Sequence, residues 1–174
     1  MSTRIEIRRA VPDDAPAACT LLRRSIEEGC RDEHRDQPAG LSAWLGNKTP
    51  ANVLGWFTSP TNCALVAESE GRLVGMALLT QAGKVALCYV LPEFLRHGAG
   101  RALVAALEEQ ARAWNIGKLH LHSPAGASAF FERQGFMNSG KDKSCFGLEC
   151  DLLWKRMDGA CDAGGRKRFC NCGD

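Results

Sequence analysis

The chain has little to offer an extended, charged partner. Lysine and arginine number 22 against 20 aspartates and glutamates, a formal net charge of +2, so no field of one sign favours nucleic acid or an anionic membrane. No apolar run approaches the roughly 18 residues of a membrane-spanning helix, and the opening Met-Ser-Thr-Arg-Ile-Glu has no signal-peptide core. No internal repeat is visible. Tyrosine occurs once, at Tyr89. These absences point to a cytoplasmic protein acting on something small or local, with neither nucleic acid nor membrane as partner.

What is present describes an ordinary folded domain. The 174 residues accommodate one domain and a tail, and folding at this size hides roughly 70% of the extended chain's surface, so a single core needs no staple. Hydrophobic residues make up 45% and charged residues 24%, a globular composition. Nine cysteines stand out. Cys19, Cys30, Cys63, Cys88, Cys145 and Cys150 are scattered, mostly within apolar periodic segments, which suits buried thiols in a reducing compartment better than a disulfide framework. Cys161, Cys170 and Cys172 share residues 159–174, a glycine-rich, charged stretch without histidine, where a zinc site would need a fourth ligand and usually wider spacing. No metal site is assigned there; the stretch reads as a tail, disordered or a non-native extension. The expected division is a domain over residues 1–158 and this tail over 159–174.

Along the chain, Arg4-Ile5-Glu6-Ile7-Arg8 alternates polar and apolar residues as a first strand does. Asp13 is expected to cap a helix that turns Ala18, Leu21, Leu22 and Ile26 inward. Residues 32–60 are less regular, with short helical pieces around 41–45 and after Thr49-Pro50, where threonine caps and proline fits the first turn. Residues 63–68, Arg72–Thr80 and 84–90 read as three strands split by Glu70-Gly71 and Ala82-Gly83 turns, a spacing that suggests an antiparallel meander. A helix ending near Trp114 carries Leu103, Leu107, Ala111 and Trp114 on one face. A strand over Lys118–Ser123 follows, then a short helix over 125–134 closed by Gly135. Two strands, near 143–148 and over 149–156, end the domain. The order β-α-α-β-β-β-α-β-α-β-β describes a single mixed α/β (α+β) domain.

Residues 85–103 carry the chemistry. A strand ending at Val90 runs through Leu91-Pro92-Glu93-Phe94-Leu95-Arg96-His97 into Gly98-Ala99-Gly100-Arg101 and a helix. Glycine lets backbone approach a ligand closely, and the free N–H groups of a first helical turn, with the helix dipole, favour phosphate. Arg96, His97 and Arg101 surround the loop with positive or partly positive groups. Taken alone, this Gly-x-Gly is equally the mark of a tight turn. It is too short for a Walker loop, has no Lys-Ser/Thr after its second glycine, and lacks the third glycine of a dinucleotide fingerprint.

The run from Val90 to Leu103 resembles motif A of the GNAT superfamily, the acyl-CoA-dependent N-acetyltransferases. Further on, Ala127-Ser128-Ala129-Phe130-Phe131-Glu132-Arg133-Gln134-Gly135-Phe136 resembles its motif B, A-x-x-x-Y-E-x-x-G-F. The two stand in the family's order and spacing, and the resemblance covers roughly residues 5–157. It implies a splayed, mixed, mostly antiparallel sheet of six to seven strands flanked by about four helices. The strand ending at Val90 and the strand Lys118–Ser123 would part near their ends. The pantetheine arm of acetyl-CoA would lie in that gap and pair with Tyr89, Val90 and Leu91 like an added strand. The pyrophosphate would rest on the N–H groups of Arg96, His97, Gly98, Ala99, Gly100 and Arg101. Phe130 and Phe131 would flank the thiol, and Ser123 would complete the cofactor contacts.

Two departures from the family pattern matter. Leu95 holds the place where motif A begins with Gln or Arg, with Arg96 one step on. Phe131 stands where many members carry a tyrosine that protonates the departing thiolate. A thiol of pKa ~8.5 lies about 1.5 pH units above neutrality, so reprotonating the thiolate is worth ~2 kcal/mol at most. An alkylamine near pKa ~10.4 must lose a proton at a cost of roughly 4.6 kcal/mol at pH 7. Amine deprotonation is the larger problem, and water or Tyr89 could supply the acid.

Candidate catalytic residues are Tyr89, His122, His34 and Glu33. His120 and His122 share one face of a strand, and His122, near the parting of the strands, could relay a proton through water or simply pack under the next helix. Glu33-His34 lies in the irregular segment that forms one wall of the family's acceptor pocket, or is a solvated loop. Glu68, at a strand end, is a weaker candidate base. Trp44, Trp56 and Phe57 are either core packing or the walls of an apolar acceptor pocket. Cys88 reads as a buried thiol rather than a nucleophile. The expected function is acetyl transfer from acetyl-CoA to a primary amine on a small molecule, by direct attack in a ternary complex. The alternative is an acyl-CoA-binding sensor that has lost catalysis. A homodimer is left open.

Overall fold

A computed structural model describes residues 4–157, apart from 36 and 144–146. The tail from Gly159 onward, with Cys161, Cys170 and Cys172, lies outside the described residues. Strands β1 (Glu6–Arg9), β2 (Asn62–Ser69), β3 (Arg72–Thr80) and β4 (Val85–Val90) pair antiparallel in that order. Strands β5 (Lys118–Ser123), β6 (Met137–Lys143) and β7 (Glu149–Arg156) form a second antiparallel sheet, with β7 in the middle. The helices are α1 (Ala15–Gly29), α2 (Arg31–His34), α3 (Pro38–Leu45), α4 (Pro50–Thr58), α5 (Ala99–Ala113) and α6 (Ala125–Arg133). The mixed α+β fold is the expected one. The irregular stretch 32–60 resolves into α2, α3 and α4, which raises the helix count above about four.

The runs of apolar residues in β2 and β3 arise because both faces of the first sheet are covered. Cys63, Leu65 and Ala67 share a core with Leu103 and Leu107 of α5. Alternate residues Ala64 and Val66 pack with Ala18 and Leu22 of α1, and with Val53 of α4. Period-two alternation thus feeds two cores at once. Each fully buried leucine of this kind contributes about 2 kcal/mol of transfer free energy. Ile26, Cys30, Trp44 and Leu45 form a third, smaller cluster where α1 meets α3.

The two sheets meet through one parallel bridge among the described residues, Lys84 with His120. There the His120 N–H donates to the Gly83 carbonyl at 3.0 Å. Gly83 has φ +86, and a Cβ on it would stand 2.4 Å from the Lys118 carbonyl oxygen, so only glycine fits this crossing. Beyond the bridge β4 and β5 separate, and a cavity lies in the gap between them.

Three local expectations are corrected. The helix-entry carboxylate is Asp14, not Asp13: its Oδ2 accepts from the Val11 N–H at 2.8 Å, and a 3-10 turn over Pro12–Asp14 precedes α1. The strand expected near 143–148 lies earlier, at Met137–Lys143. That strand is an exposed edge at every position, so no apolar alternation marks it. His34 is no part of a solvated loop. It ends α2, is buried, and its Nε2 lies 3.3 Å from the Glu27 carbonyl oxygen. Thr49 caps α4 as expected, its hydroxyl accepting from the Asn52 N–H at 3.2 Å.

Candidate active site

The gap between β4 and β5 opens into a cavity of about 650 Å³. One wall is β4, with Cys88, Tyr89 and Val90; the opposite wall is Leu121 and His122 of β5 with Phe130 and Phe131 of α6. Leu95, Arg96, Gly98, Gly100 and Arg101 close one end. A second cavity of about 450 Å³ adjoins it, walled by Trp44, Trp56, Leu78 and Leu148, with Asn47, Lys48 and Glu149 among its polar groups. Tyr89 and His122 line both.

The loop at the end of β4 is shaped for close approach. Arg96 has φ +65 and Gly98 φ +89, left-handed turns that deliver the chain into α5. Ala99, Gly100 and Arg101 form the first helical turn, whose N–H groups have no intrahelical acceptor. A Cβ on Gly100 would sit 3.0 Å from Phe130 Cζ, so this glycine lets the motif A helix and the α6 aromatic close on each other. The turn before the loop is held by ion pairs that no local motif announces. Glu93 accepts from Arg24 at 3.0 and 3.1 Å and from Arg72 at 3.0 Å, and Arg72 also lies 5.6 Å over the Phe94 ring. Hydrogen bonds from Arg24, the largest cause, lower the Glu93 carboxyl to about 2.

The sequence-derived candidates divide. Tyr89, Val90, Arg96, Gly98, Gly100, Arg101, Phe130 and Phe131 all line the larger cavity. Leu91 is buried against the α1 side of the sheet and gives its N–H to the Val74 carbonyl. Ala99 is in the core, so only its backbone faces outward chemistry. Ser123 is buried, its hydroxyl donating to the Pro124 carbonyl and accepting from Ser128. His97 packs near Phe94, ring centroids 6.0 Å apart, and lines neither cavity. His34 also lines neither cavity; the Glu33 side chain lies outside the described ones, although its backbone belongs to α2. Glu68 pairs with Arg8 at 3.0 Å, away from both.

The Tyr89 hydroxyl accepts from Trp44 Nε1 at 3.3 Å, which ties the cofactor strand to the tryptophan wall. Burial pushes the Cys88 thiol up to about 12, so it is a neutral thiol and no nucleophile. Phe131 is buried, edge-on to Phe130 and Phe136. Behind α6, Asp151 of β7 accepts from the Ser128 hydroxyl at 2.5 Å and pairs with Lys141 at 2.7 Å, which fixes the helix bearing both phenylalanines. His122 does not pack under that helix. It is exposed to the cavities, and its Nε2 lies 3.1 Å from Asp142 Oδ2.

A splayed sheet with a glycine-turned helix entry at one end of the gap, and a second pocket at the other, is the architecture of an acyl-transferring domain. A sequence model of the acetyltransferase (GNAT) domain matches residues 32–150, and the chain belongs to that family. Among solved structures it is similar to the GCN5-related N-acetyltransferase of Rhodopseudomonas palustris, at TM-score 0.80 and 22% identity over 90% of this chain and 98% of that one. The PaiA N-acetyltransferase of Thermoplasma acidophilum, solved with coenzyme A, gives TM-score 0.75 and 17% identity over 88% and 99%. The yncA protein of Salmonella typhimurium, solved with acetyl-CoA, gives 0.67 and 19% over 91% and 98%. These identities speak for the fold alone. No curated protein sequence matches the chain significantly.

Proposed function

We propose that the protein is an N-acetyltransferase that moves the acetyl group of acetyl-CoA to a primary amine on a small molecule, by direct attack within a ternary complex. The observation that carries this reading is the pair of adjoining cavities with Tyr89 and His122 in their common wall. Two substrates entering from opposite sides would meet there, and bringing reactants into contact is most of what such a reaction asks of a protein.

The residues present fit coenzyme A. The left-handed turns at Arg96 and Gly98 and the close approach at Gly100 form a cradle in which side chains do not block the first-turn N–H groups. Arg96 and Arg101 would neutralise phosphate charge, Tyr89 and Val90 would border the pantetheine arm, and Phe130 and Phe131 would enclose the thioester. The coenzyme supplies an activated acetyl group. The protein's own share is to orient that group against β4, to exclude water with the α6 aromatics, and to accept the amine's proton. The tryptophan wall suits a compact amine with a flat, apolar body. Cys19, Cys63 and Cys88 carry free thiols, which supports a reducing compartment such as the cytoplasm.

Titration calorimetry with coenzyme A and mass spectrometry of products over a panel of primary amines test the reading. Acetylated product from at least one amine is expected. Tight coenzyme A binding with transfer to none of them would overturn catalysis and favour the second reading, an acyl-CoA-binding sensor, for which the hydroxyl-free Phe131 is the specific observation.

A further inference from the structure

We propose that His122 and Asp142 form a catalytic dyad: His122 takes the proton of the incoming amine, and Asp142 is the positioning residue that holds the ring in the tautomer able to do so. This rests on the acetyl-transfer reading above. Asp142 belongs to no motif, and its strand carries no apolar pattern, yet the fold delivers it to the site. His122 stands opposite Leu152 across the β5–β7 ladder, and Asp142 stands opposite Cys150 across the β7–β6 ladder, so the two side chains reach toward each other over the middle strand.

The carboxylate is fixed at both oxygens. Oδ1 accepts the Lys143 N–H at 2.7 Å, and Oδ2 faces His122 Nε2 at 3.1 Å. The Lys143 N–H, and after it His122, hold the Asp142 carboxyl below its ordinary range. An ionised carboxylate only accepts hydrogen bonds, so the hydrogen of the neutral imidazole sits on Nε2 and the lone pair on Nδ1. The ring lines the amine-side and the cofactor-side cavities at once. Nδ1 is therefore the basic nitrogen available where the two substrates would meet, directly or through a water. Among the described residues, Tyr89 of β4, Lys84 at the head of β4, Lys48, and Glu149 and Cys150 of β7 line the amine-side cavity with the ring, and His120 on β5 itself interacts with it electrostatically.

Proton economy assigns the dyad its work. The ammonium gives one proton to His122 Nδ1. The neutral nitrogen then attacks the carbonyl carbon of the acyl thioester, the C–N bond forms and the C–S bond breaks with its electron pair on sulfur. The second nitrogen proton ends on that thiolate, and the proton held by His122 passes to solvent. One amide, one thiol and one released proton balance the step. An ordinary alkylamine, with a pKa of ~10.4, is protonated at neutral pH, so removing its first proton is the costliest proton transfer of the reaction, and a well-placed base relieves it.

The test uses the full chain and whichever primary amine of the panel is acetylated fastest, over about pH 6 to 9. His122→Gln is expected to lower kcat/KM roughly 10²-fold. Asp142→Asn should lower it less, and the double variant should fall no further than His122→Gln, as groups acting as a unit do. Coenzyme A affinity should be unchanged in all three. Nitrogen-15 NMR should find the Nε2–H tautomer of His122 in the native protein and lose that bias in Asp142→Asn. Wild-type turnover with additive losses, unchanged rates, or a tautomer indifferent to Asp142→Asn would overturn the dyad while leaving acetyl transfer standing. Absence of wild-type turnover with coenzyme A bound would overturn the acetyl-transfer reading itself, and the dyad with it.

Discussion

Gly83→Ala is expected to unlatch the two sheets. Gly83 is buried, sits at φ +86, and carries the carbonyl that accepts the His120 N–H at the Lys84–His120 bridge. Two penalties add. An alanine held in the left-handed region costs about 1–2 kcal/mol. Its Cβ would lie 2.4 Å from the Lys118 carbonyl oxygen, an obstacle of backbone rather than flexible side chain, so β5 must move and the His120 hydrogen bond is lost. That bond is worth about 1 kcal/mol net, and more if its groups stay buried and unpaired. The sum is about 3 kcal/mol out of a total of roughly 5–15 kcal/mol. At this chain length it corresponds to a fall of roughly 6–12 °C in Tm. Calorimetric unfolding measures it, with coenzyme A titration beside it, because the gap between β4 and β5 starts at this bridge. Gly71→Ala is the control: φ is +77 but nothing lies within 4 Å of the added Cβ, so only the left-handed cost of about 1–2 kcal/mol applies. Equal losses from the two substitutions would refute the claim that the crossing itself requires glycine.

The remaining predictions concern the walls of the site. Glu93→Gln should remove the carboxylate that joins Arg24 to Arg72, costing less than about 1 kcal/mol because the pair is partly exposed and screened by salt. Since the folded carboxyl is lowered to about 2, its contribution is present above the ordinary glutamate value and fades as pH falls from about 4 toward 2; acid unfolding of Glu93→Gln and wild type should therefore converge at the acid end. Cys88, with its thiol raised to about 12 by burial, should resist iodoacetamide at about pH 8 in the folded protein and react once unfolded, as peptide mass spectrometry would show. Labelling at equal rates in both states would contradict its burial. Gly100→Ala should leave Tm nearly unchanged, because alanine favours the helix while the Phe130 ring swings aside, yet weaken coenzyme A binding about tenfold.

Much of the fold was legible because local chemistry and tertiary need agree. The α1 stripe of Ala18, Leu21, Leu22 and Ile26 is buried in the structure, as its spacing predicts. The meander β2-β3-β4 is marked by its turns, and its unbroken apolar runs reflect a sheet covered on both faces. The misplaced strand has an equally physical cause. Met137–Lys143 is an exposed edge rich in polar residues, held by backbone pairing to β7, and backbone pairing leaves no trace in side-chain pattern. Asp13 and Asp14 are indistinguishable as caps until the 3-10 turn fixes which carboxylate folds back on Val11.

The site was legible in proportion to how local it is. The cradle Arg96 to Arg101 is contiguous, so its likeness to motif A is readable in the sequence, and of its two glycines only Gly98 takes a left-handed φ while Gly100 is helical. The ions that brace it, Arg24, Arg72 and Glu93, come from three separate elements and read singly as surface charges. The same is true of His122 and Asp142. His122 is visible as a histidine near the parting of two strands, but its partner is assigned only by the order β5-β7-β6, which places two edge strands on either side of a third. His34, by contrast, is spelled beside a glutamate like a catalytic pair, and the fold uses it to close α2 against the last turn of α1. What separates the two histidines is not their neighbours in the chain but the side of the sheet gap on which the topology leaves them. Under the proposed acetyl transfer, the missing hydroxyl at Phe131 would bear on returning a proton to sulfur, worth ~2 kcal/mol at most, whereas the amine's proton is worth roughly twice that. On that proposal the chain would lose help with the smaller of its two proton problems, and the larger one would fall to the base we propose between the two cavities, His122.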